Sequence, residues 1–257
     1  MEFDDDLNAC AAMVEEGDPD RFRAAMAVPV RARSVLFPLY AFNIEVSRAP
    51  WVTEEPLIAE MRLQWWIDAL DEIGSGGVVR RHEVVTPLAH VLDAEGAEIL
   101  TGAVEARRAD ASREDVTEIR DLDAYLAATG GGLLWTAARA LGSDQEARAR
   151  AAGLRGARAN WLLGASALQR RGRRPFPQME AEAIGRVAAR WRDDRAGLGE
   201  APSAAQRRAE LAVWRADAVL REAAAAPRRV LEGTLGQAVM RPRLSLALRA
   251  AGIGRAV

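Results

Sequence analysis

The sequence predicts an all-α protein, and three observations carry that prediction. Apolar residues recur at intervals of three and four from Arg33 to Ile73, capping and breaking residues punctuate the chain at helical lengths, and the stretch after Gln178 is dominated by alanine and arginine. With 257 residues and no linker to divide them, a single helical domain over residues 1–257 with an ample core is expected.

Asp4, Asp5 and Asp6 precede a helix to about Glu16 and suit the positive end of its dipole. "GDPD", Gly17 to Asp20, reads as a turn with proline opening a short helix that ends before Pro29. Leu36, Tyr40, Ile44 and Ser47 then recur at helical spacing, with Leu39, Phe42 and Val46 between them. Such a helix is apolar nearly all round and belongs inside. Pro38 predicts a kink, or a start near Phe37. In the next helix Thr53 is the expected N-cap, Glu54 and Glu55 suit the helix start, and Pro56 falls in the first turn. Leu57, Met61, Trp65 and Ala69 are expected to form its buried stripe.

Gly74, Gly76 and Gly77 mark a loop, and Thr86–Pro87 opens another helix. His82 and His90, eight residues apart, lack the spacing of a helical metal pair. "SRED", Ser112 to Asp115, reads as a capping box. In the pattern from Asp121 to Gly142, Tyr125, Leu126, Thr129 and Leu133 share a face. Gly130, Gly131 and Gly132 within it imply close approach of a helix or a ligand, or else a break between two helices. Asp68 and Glu72, one turn apart, either share a cation or face solvent, and Asp193 and Asp194 between Arg192 and Arg195 read as surface ion pairs. No acidic residue occurs between Leu154 and Met179, where Arg170, Arg171, Arg173 and Arg174 cluster. That cluster suits a solvated loop, an acidic partner surface, a lipid headgroup or a phosphate. Trp191 and Trp214 are expected core anchors, with a turn around Pro202, a break at Pro227 and a final amphipathic helix over Arg241 to Gly252.

Composition excludes several classes. The net charge is -2 and all 35 basic residues are arginine. The charge gives no reason to expect a nucleic-acid partner, and without lysine there is no Schiff base, no pyridoxal phosphate attachment and no P-loop lysine. Cys10 is alone, so no intrachain disulfide forms, and it reads as a small buried apolar residue. The acidic start does not look like a targeting peptide, and no apolar run approaches the roughly 18 residues of a spanning helix. A cytoplasmic protein, peripheral at the inner membrane at most, is expected.

"LYAF" at Leu39 to Phe42, "MRLQWW" at Met61 to Trp66, the Tyr125–Gly132 helix and "GRRPFP" at Gly172 to Pro177 resemble the squalene/phytoene synthase family of head-to-head prenyl transferases. The resemblance implies an isoprenoid-synthase-like helical bundle around a central cavity. Its implied lining is Tyr40, Phe42, Ile44, Arg62, Trp65 and Trp66 from the first region and Tyr125, Thr129, Gly131 and Leu133 from the second. Enzymes of the family follow the "YAF" helix with Asp-Asp-x-x-Asp and carry a second acidic set before "GRRPFP", both holding Mg²⁺ against a diphosphate. Here the first set reads Ser47, Arg48 and Trp51, and the second is replaced by the arginine cluster. Without carboxylates, departure of a diphosphate lacks its main electrostatic support. No metal ligand, no cofactor and no catalytic residue is therefore expected.

The departure, together with "AFN-hydrophobic-E" at Ala41 to Glu45, is similar to the family branch represented by respiratory complex I assembly factors. It implies a catalytically silent protein whose partners are NADH dehydrogenase (complex I) subunits. Two alternatives remain: a divergent prenyl transferase condensing prenyl diphosphates with Mg²⁺, and a carrier of an isoprenoid or lipid with Arg62 or the arginine cluster at its headgroup. A deep apolar tunnel favours these; Trp51, Trp65, Trp66 and Trp161 packed into its place favour the interaction protein.

Overall fold

The computed structural model describes residues 4–236, Leu246 and Ala250, and the helix expected over Arg241 to Gly252 otherwise lies outside the described residues. No strand occurs among the described residues; helices follow one another through short turns. The first four are α1 (Asp5–Gly17), α2 (Pro19–Met26), α3 (Val30–Arg48) and α4 (Pro56–Gly74). Asp4 caps α1 by accepting the Leu7 amide at 2.9 Å, and Asp18 caps α2 through the Arg21 amide at 3.0 Å. The helix α3 starts at Val30 and continues through Pro38, so proline neither delays it nor ends it. Leu36, Phe37, Leu39, Tyr40, Ala41 and Phe42 are all buried around that proline, and packing on every side holds the turn whose amide is missing.

A 3₁₀ turn over Ala49–Trp51 reverses the chain into α4. The N-cap of α4 is Glu55 rather than Thr53, whose Oγ1 accepts the Glu55 amide at 3.1 Å. The buried face of α4 also differs from the expected stripe. Leu63, Trp66, Ile67, Leu70 and Ile73 point inward with Ala59 and Ala69, whereas Leu57 and Met61 are 72% and 64% exposed.

The chain continues through α5 (Val85–Ala89), α6 (Ala94–Ala106), α7 (Arg108–Ala111) and α8 (Ile119–Leu126), then a π turn over Ala127–Gly131 leads into α9 (Gly132–Ala140). Ser112 to Asp115 is not a capping box: the Ser112 hydroxyl donates back to the Arg108 carbonyl, Glu118 holds the N-cap position of α8 without a side-chain bond, and Arg113 takes a φ of 56°. The longest helix is α10 (Glu146–Arg170), followed by α11 (Ala181–Asp193), α12 (Ala204–Glu210), α13 (Ala216–Ala225) and α14 (Arg228–Glu232).

Two hydrophobic clusters organise these helices. One gathers α1 to α6 with Leu133, Ala137 and Trp214; the other gathers α8 to α14 around Trp191, with Leu141 and Ala212 packed against both. The glycines at the π turn explain how α10 crosses it. A Cβ on Gly130 would lie 2.5 Å from Ala157 Cβ, and one on Gly153 would lie 2.4 Å from the Gly130 carbonyl oxygen. The glycines thus serve a helix crossing at near backbone contact.

Three buried arginines fasten α10 to its surroundings. Arg148 makes a two-pronged pair with Glu210, Arg155 donates to Asp217 at 2.6 Å and to the carbonyls of Trp191 and Asp194, and Arg158 bridges Asp123 and Asp194 at 2.9 and 2.7 Å. Asp194 is therefore claimed from the interior, and only Asp193 forms the exposed pair with Arg192.

Candidate functional site

The segment that resembles the first metal motif lies at the C-terminal end of α3. There Ser47 donates its hydroxyl to the Ile44 carbonyl, Arg48 is exposed, and Trp51 ends the 3₁₀ turn. The arginine cluster arrives from the C-terminal end of α10. The Arg171 and Arg173 guanidiniums stand 5.0 and 5.8 Å from the centroid of the Trp51 ring. The fold thus brings the ends of α3 and α10 together, and a cation–π contact of about 0.5–1 kcal/mol per arginine joins them.

The four clustered arginines divide their tasks. Arg173 donates to the Glu114 carbonyl, the Arg174 amide donates to Asp115 at 2.9 Å, and the Val116 amide returns a bond to the Arg174 carbonyl at 3.1 Å. Among the described residues Arg170 reaches Ser166 of its own helix, and the Arg174 guanidinium reaches the Pro177 carbonyl. The cluster therefore pins the 112–118 loop and Trp51.

A cleft of about 380 Å³ opens between the end of α3 and α4. Arg48 and Arg62 line it with Glu45 and Val52, and Trp65, Trp66 and His82 form an aromatic wall. Trp66 meets Phe42 edge to face at 5.3 Å and Trp65 at 5.0 Å, and His82 lies 5.1 Å from Trp65. His82 Nδ1 accepts the Val84 amide at 3.1 Å. Arg80 stacks on Trp65 at 4.8 Å and is held by Glu72, so Glu72 is an arginine partner and not a cation ligand with Asp68, which accepts from Gln64.

Of the ten residues expected to line a cavity, Arg62, Trp65 and Trp66 meet in this cleft. Tyr40, Phe42, Ile44 and Leu133 lie in the first hydrophobic cluster, with Ile44 against Gly17. Burial pushes the Tyr40 hydroxyl well above its usual value, and it has no hydrogen-bond partner among the described residues. Thr129 donates to the Tyr125 carbonyl at 2.8 Å, and Gly131 faces the Arg150 backbone. Tyr125 belongs to a different recess of about 150 Å³, shared with Trp161, Asp110 and Arg173. Its hydroxyl donates to Asp110 at 2.7 Å and accepts from Arg107, and burial raises its pKa. Glu45 and His82 were missed as cleft residues because 37 positions separate them and His82 reaches the cleft from the loop before α5, where no helical spacing points to it.

These donors do not fit Mg²⁺. Ser47, Arg48 and Trp51 supply no carboxylate, the α10 segment supplies only guanidiniums, and among the described residues no three His, Cys, Asp or Glu side chains are disposed to hold a metal.

Comparison with known proteins agrees with this architecture. Residues 14–254 match the model of the squalene/phytoene synthase family. The "NADH dehydrogenase (ubiquinone) complex I, assembly factor 6 homolog" of Drosophila melanogaster is 30% identical over 131 residues, 49% of this chain and 39% of that relative's length. In structure the chain is similar to a dehydrosqualene synthase in complex with ligand, with a TM-score of 0.60 and 17% identity over 96% of this chain and 82% of the other. It is also similar to the squalene synthase HpnC from Alicyclobacillus acidocaldarius, with a TM-score of 0.57 and 16% identity over 96% and 92% of the two chains. An all-α fold shared with these synthases, and a family match over nearly its whole length, make this chain a member of the squalene/phytoene synthase family.

Proposed function

We propose that the chain is a catalytically silent squalene/phytoene synthase-like protein that acts by interaction, in assembly of respiratory NADH dehydrogenase. One observation carries the reading: where the family's enzymes gather carboxylates around Mg²⁺, this chain gathers Trp51, Arg171 and Arg173. A guanidinium pair over an indole binds no cation. The similarity to the Drosophila assembly factor supports the choice of partner, complex I subunits. The tryptophans support it too, since Trp66 is buried and Trp65, Trp51 and Trp161 are half-buried in aromatic or cationic contacts. No metal or other cofactor takes part, and the protein works in the cytoplasm, peripheral at the membrane that holds the complex. Among the described residues no helix is long and apolar enough to cross a membrane.

The test has two arms. Purified protein with farnesyl or geranylgeranyl diphosphate and Mg²⁺ is expected to release no diphosphate, and steady release would overturn the silence. In the native host, deleting the gene is expected to lower the amount of assembled NADH dehydrogenase, with recovery on re-expression. Normal assembly in the deletion strain would remove the partner assignment.

The cleft favours a second reading, a carrier of an anionic lipid or isoprenoid. Arg48 and Arg62 flank an aromatic wall there, and neither makes an ion pair among the described residues. Retention of labelled lipid through purification, lost in Arg62→Glu, would establish it.

A further inference from the structure

We propose that the cleft between α3 and α4 binds a phosphoethanolamine-type headgroup, with the ammonium seated at Glu45 and the phosphate between Arg48 and Arg62. The inference rests on the second reading above, a ligand held in this cleft, and names that ligand's chemistry. Each helix supplies one face of the site. Glu45, Arg48 and Ala49 follow at three- and four-residue spacing on α3, and Arg62, Trp65 and Trp66 do the same on α4. The space, about 380 Å³, suits a small ligand.

The charges in the cleft have no counterparts within the protein. Among the described residues the side chains of Glu45, Arg48 and Arg62 make no hydrogen bond or ion pair, whereas the neighbouring Arg80, Arg107 and Arg108 each hold a carboxylate. The Arg48 guanidinium rests against Gly17 at the end of α1, with one nitrogen 3.2 Å from the point a Cβ would occupy. Asp68 and Glu72, farther along α4, are engaged by Gln64 and Arg80 and do not line the cleft. Two cations and one carboxylate disfavour a simple anion, which Glu45 repels, and a simple amine, which the arginines repel. A ligand that carries both charges satisfies all three side chains. Burial sets its orientation. Ala49 and Trp66 are buried, Glu45, Trp65 and His82 are half-buried, and Arg48, Arg62 and Val52 are exposed. The carboxylate is thus more sheltered than the arginines, and an ammonium entering first meets Glu45 beside the indole wall, where cation–π attraction adds to the ion pair. The phosphate follows at the mouth, where the guanidinium forks suit its oxygens. A lipid with such a headgroup leaves its tails outside, next to Val52, which is 56% exposed.

Calorimetric titration of the purified full-length chain tests the proposal, with phosphoethanolamine as ligand and inorganic phosphate and ethanolamine as its two halves. Phosphoethanolamine is expected to bind about tenfold or more tighter than either half, as one added charge-assisted contact gives. Glu45→Gln should erase that preference while phosphate binds as before or better. Arg62→Glu should abolish binding of phosphoethanolamine and phosphate alike, and circular dichroism should show both variants folded. Flotation with vesicles of phosphatidylcholine and phosphatidylethanolamine identifies the source. Co-flotation lost in Arg62→Glu assigns the site to a lipid headgroup, and binding of the soluble compound alone assigns it to a free phosphoamine. Inorganic phosphate, or phosphatidylglycerol vesicles, bound as tightly as the amine-bearing ligands would overturn the proposal and leave the anionic carrier standing. A preference that survives Glu45→Gln would also overturn it. No binding of any of these probes would overturn both readings of the cleft.

Discussion

Replacing Gly153 by alanine would place a methyl group 2.4 Å from the Gly130 carbonyl oxygen and 2.8 Å from Gly131 Cα. Neither obstacle is a side chain that can rotate away, so α10 and the π turn would have to part by about 1 Å. Overpacking costs about 1–3 kcal/mol, and a clash with backbone belongs at the upper end. Alanine recovers about 1 kcal/mol of helix propensity, which leaves a net loss of about 2 kcal/mol. Gly164 in the same helix meets nothing within 4 Å, so Gly164→Ala should gain about 1 kcal/mol. At about 2–4 °C per kcal/mol for a chain of this size, thermal midpoints should move down by about 4–8 °C in the first variant and up by about 2–4 °C in the second. Urea and thermal unfolding followed by circular dichroism measure both. Equal stability of the two variants would refute the claim that the glycines serve the helix crossing.

Removing Arg148 leaves Glu210 buried without its cation, so Arg148→Ala should lose about 3–5 kcal/mol in urea unfolding, while Arg148→Met with Glu210→Leu should lose much less. Burial first, then the carboxylate of Glu83, pushes the Cys10 thiol up to about 12, so Ellman's reagent at pH 8 should leave the folded protein unmodified and react at once in denaturant. The Arg158 hydrogen bond holds the Asp194 carboxyl below its ordinary 3.8. A depressed folded value stabilises the protein above 3.8, and that contribution disappears as pH falls through the folded value. An acid titration of stability should therefore be shallower below pH 4 in Arg158→Met than in wild type.

How far the sequence could be read depended on whether the relevant signal was local. The acidic start of α1, the opening of α2 at Pro19 and the buried circumference of α3 follow from neighbours along the chain, and all three were legible. The inward face of α4 was not. Both Leu57–Met61–Trp65 and Leu63–Ile67–Leu70 are apolar at helical spacing, and periodicity alone does not say which one meets the core. Asp194 misled for a related reason. Arg192 and Arg195 are its neighbours in sequence, but the guanidinium that reaches it comes from Arg158, 36 residues earlier, on a buried helix face. At the candidate site, the loss of carboxylates was legible. The stacking of Arg171 and Arg173 on Trp51 was not, because it joins segments 120 residues apart.

The arginines of α10 also bear on the order in which the chain matures. Arg148 and Arg155 each find their carboxylates 62 residues downstream, at Glu210 and Asp217. A nascent chain that has just completed α10 holds guanidiniums whose burial has no counter-charge, and water remains their better solvent. The second hydrophobic cluster therefore closes only after α12 and the start of α13 have left the ribosome. Truncation anywhere before Asp217 removes the folding endpoint of the whole half rather than trimming its edge.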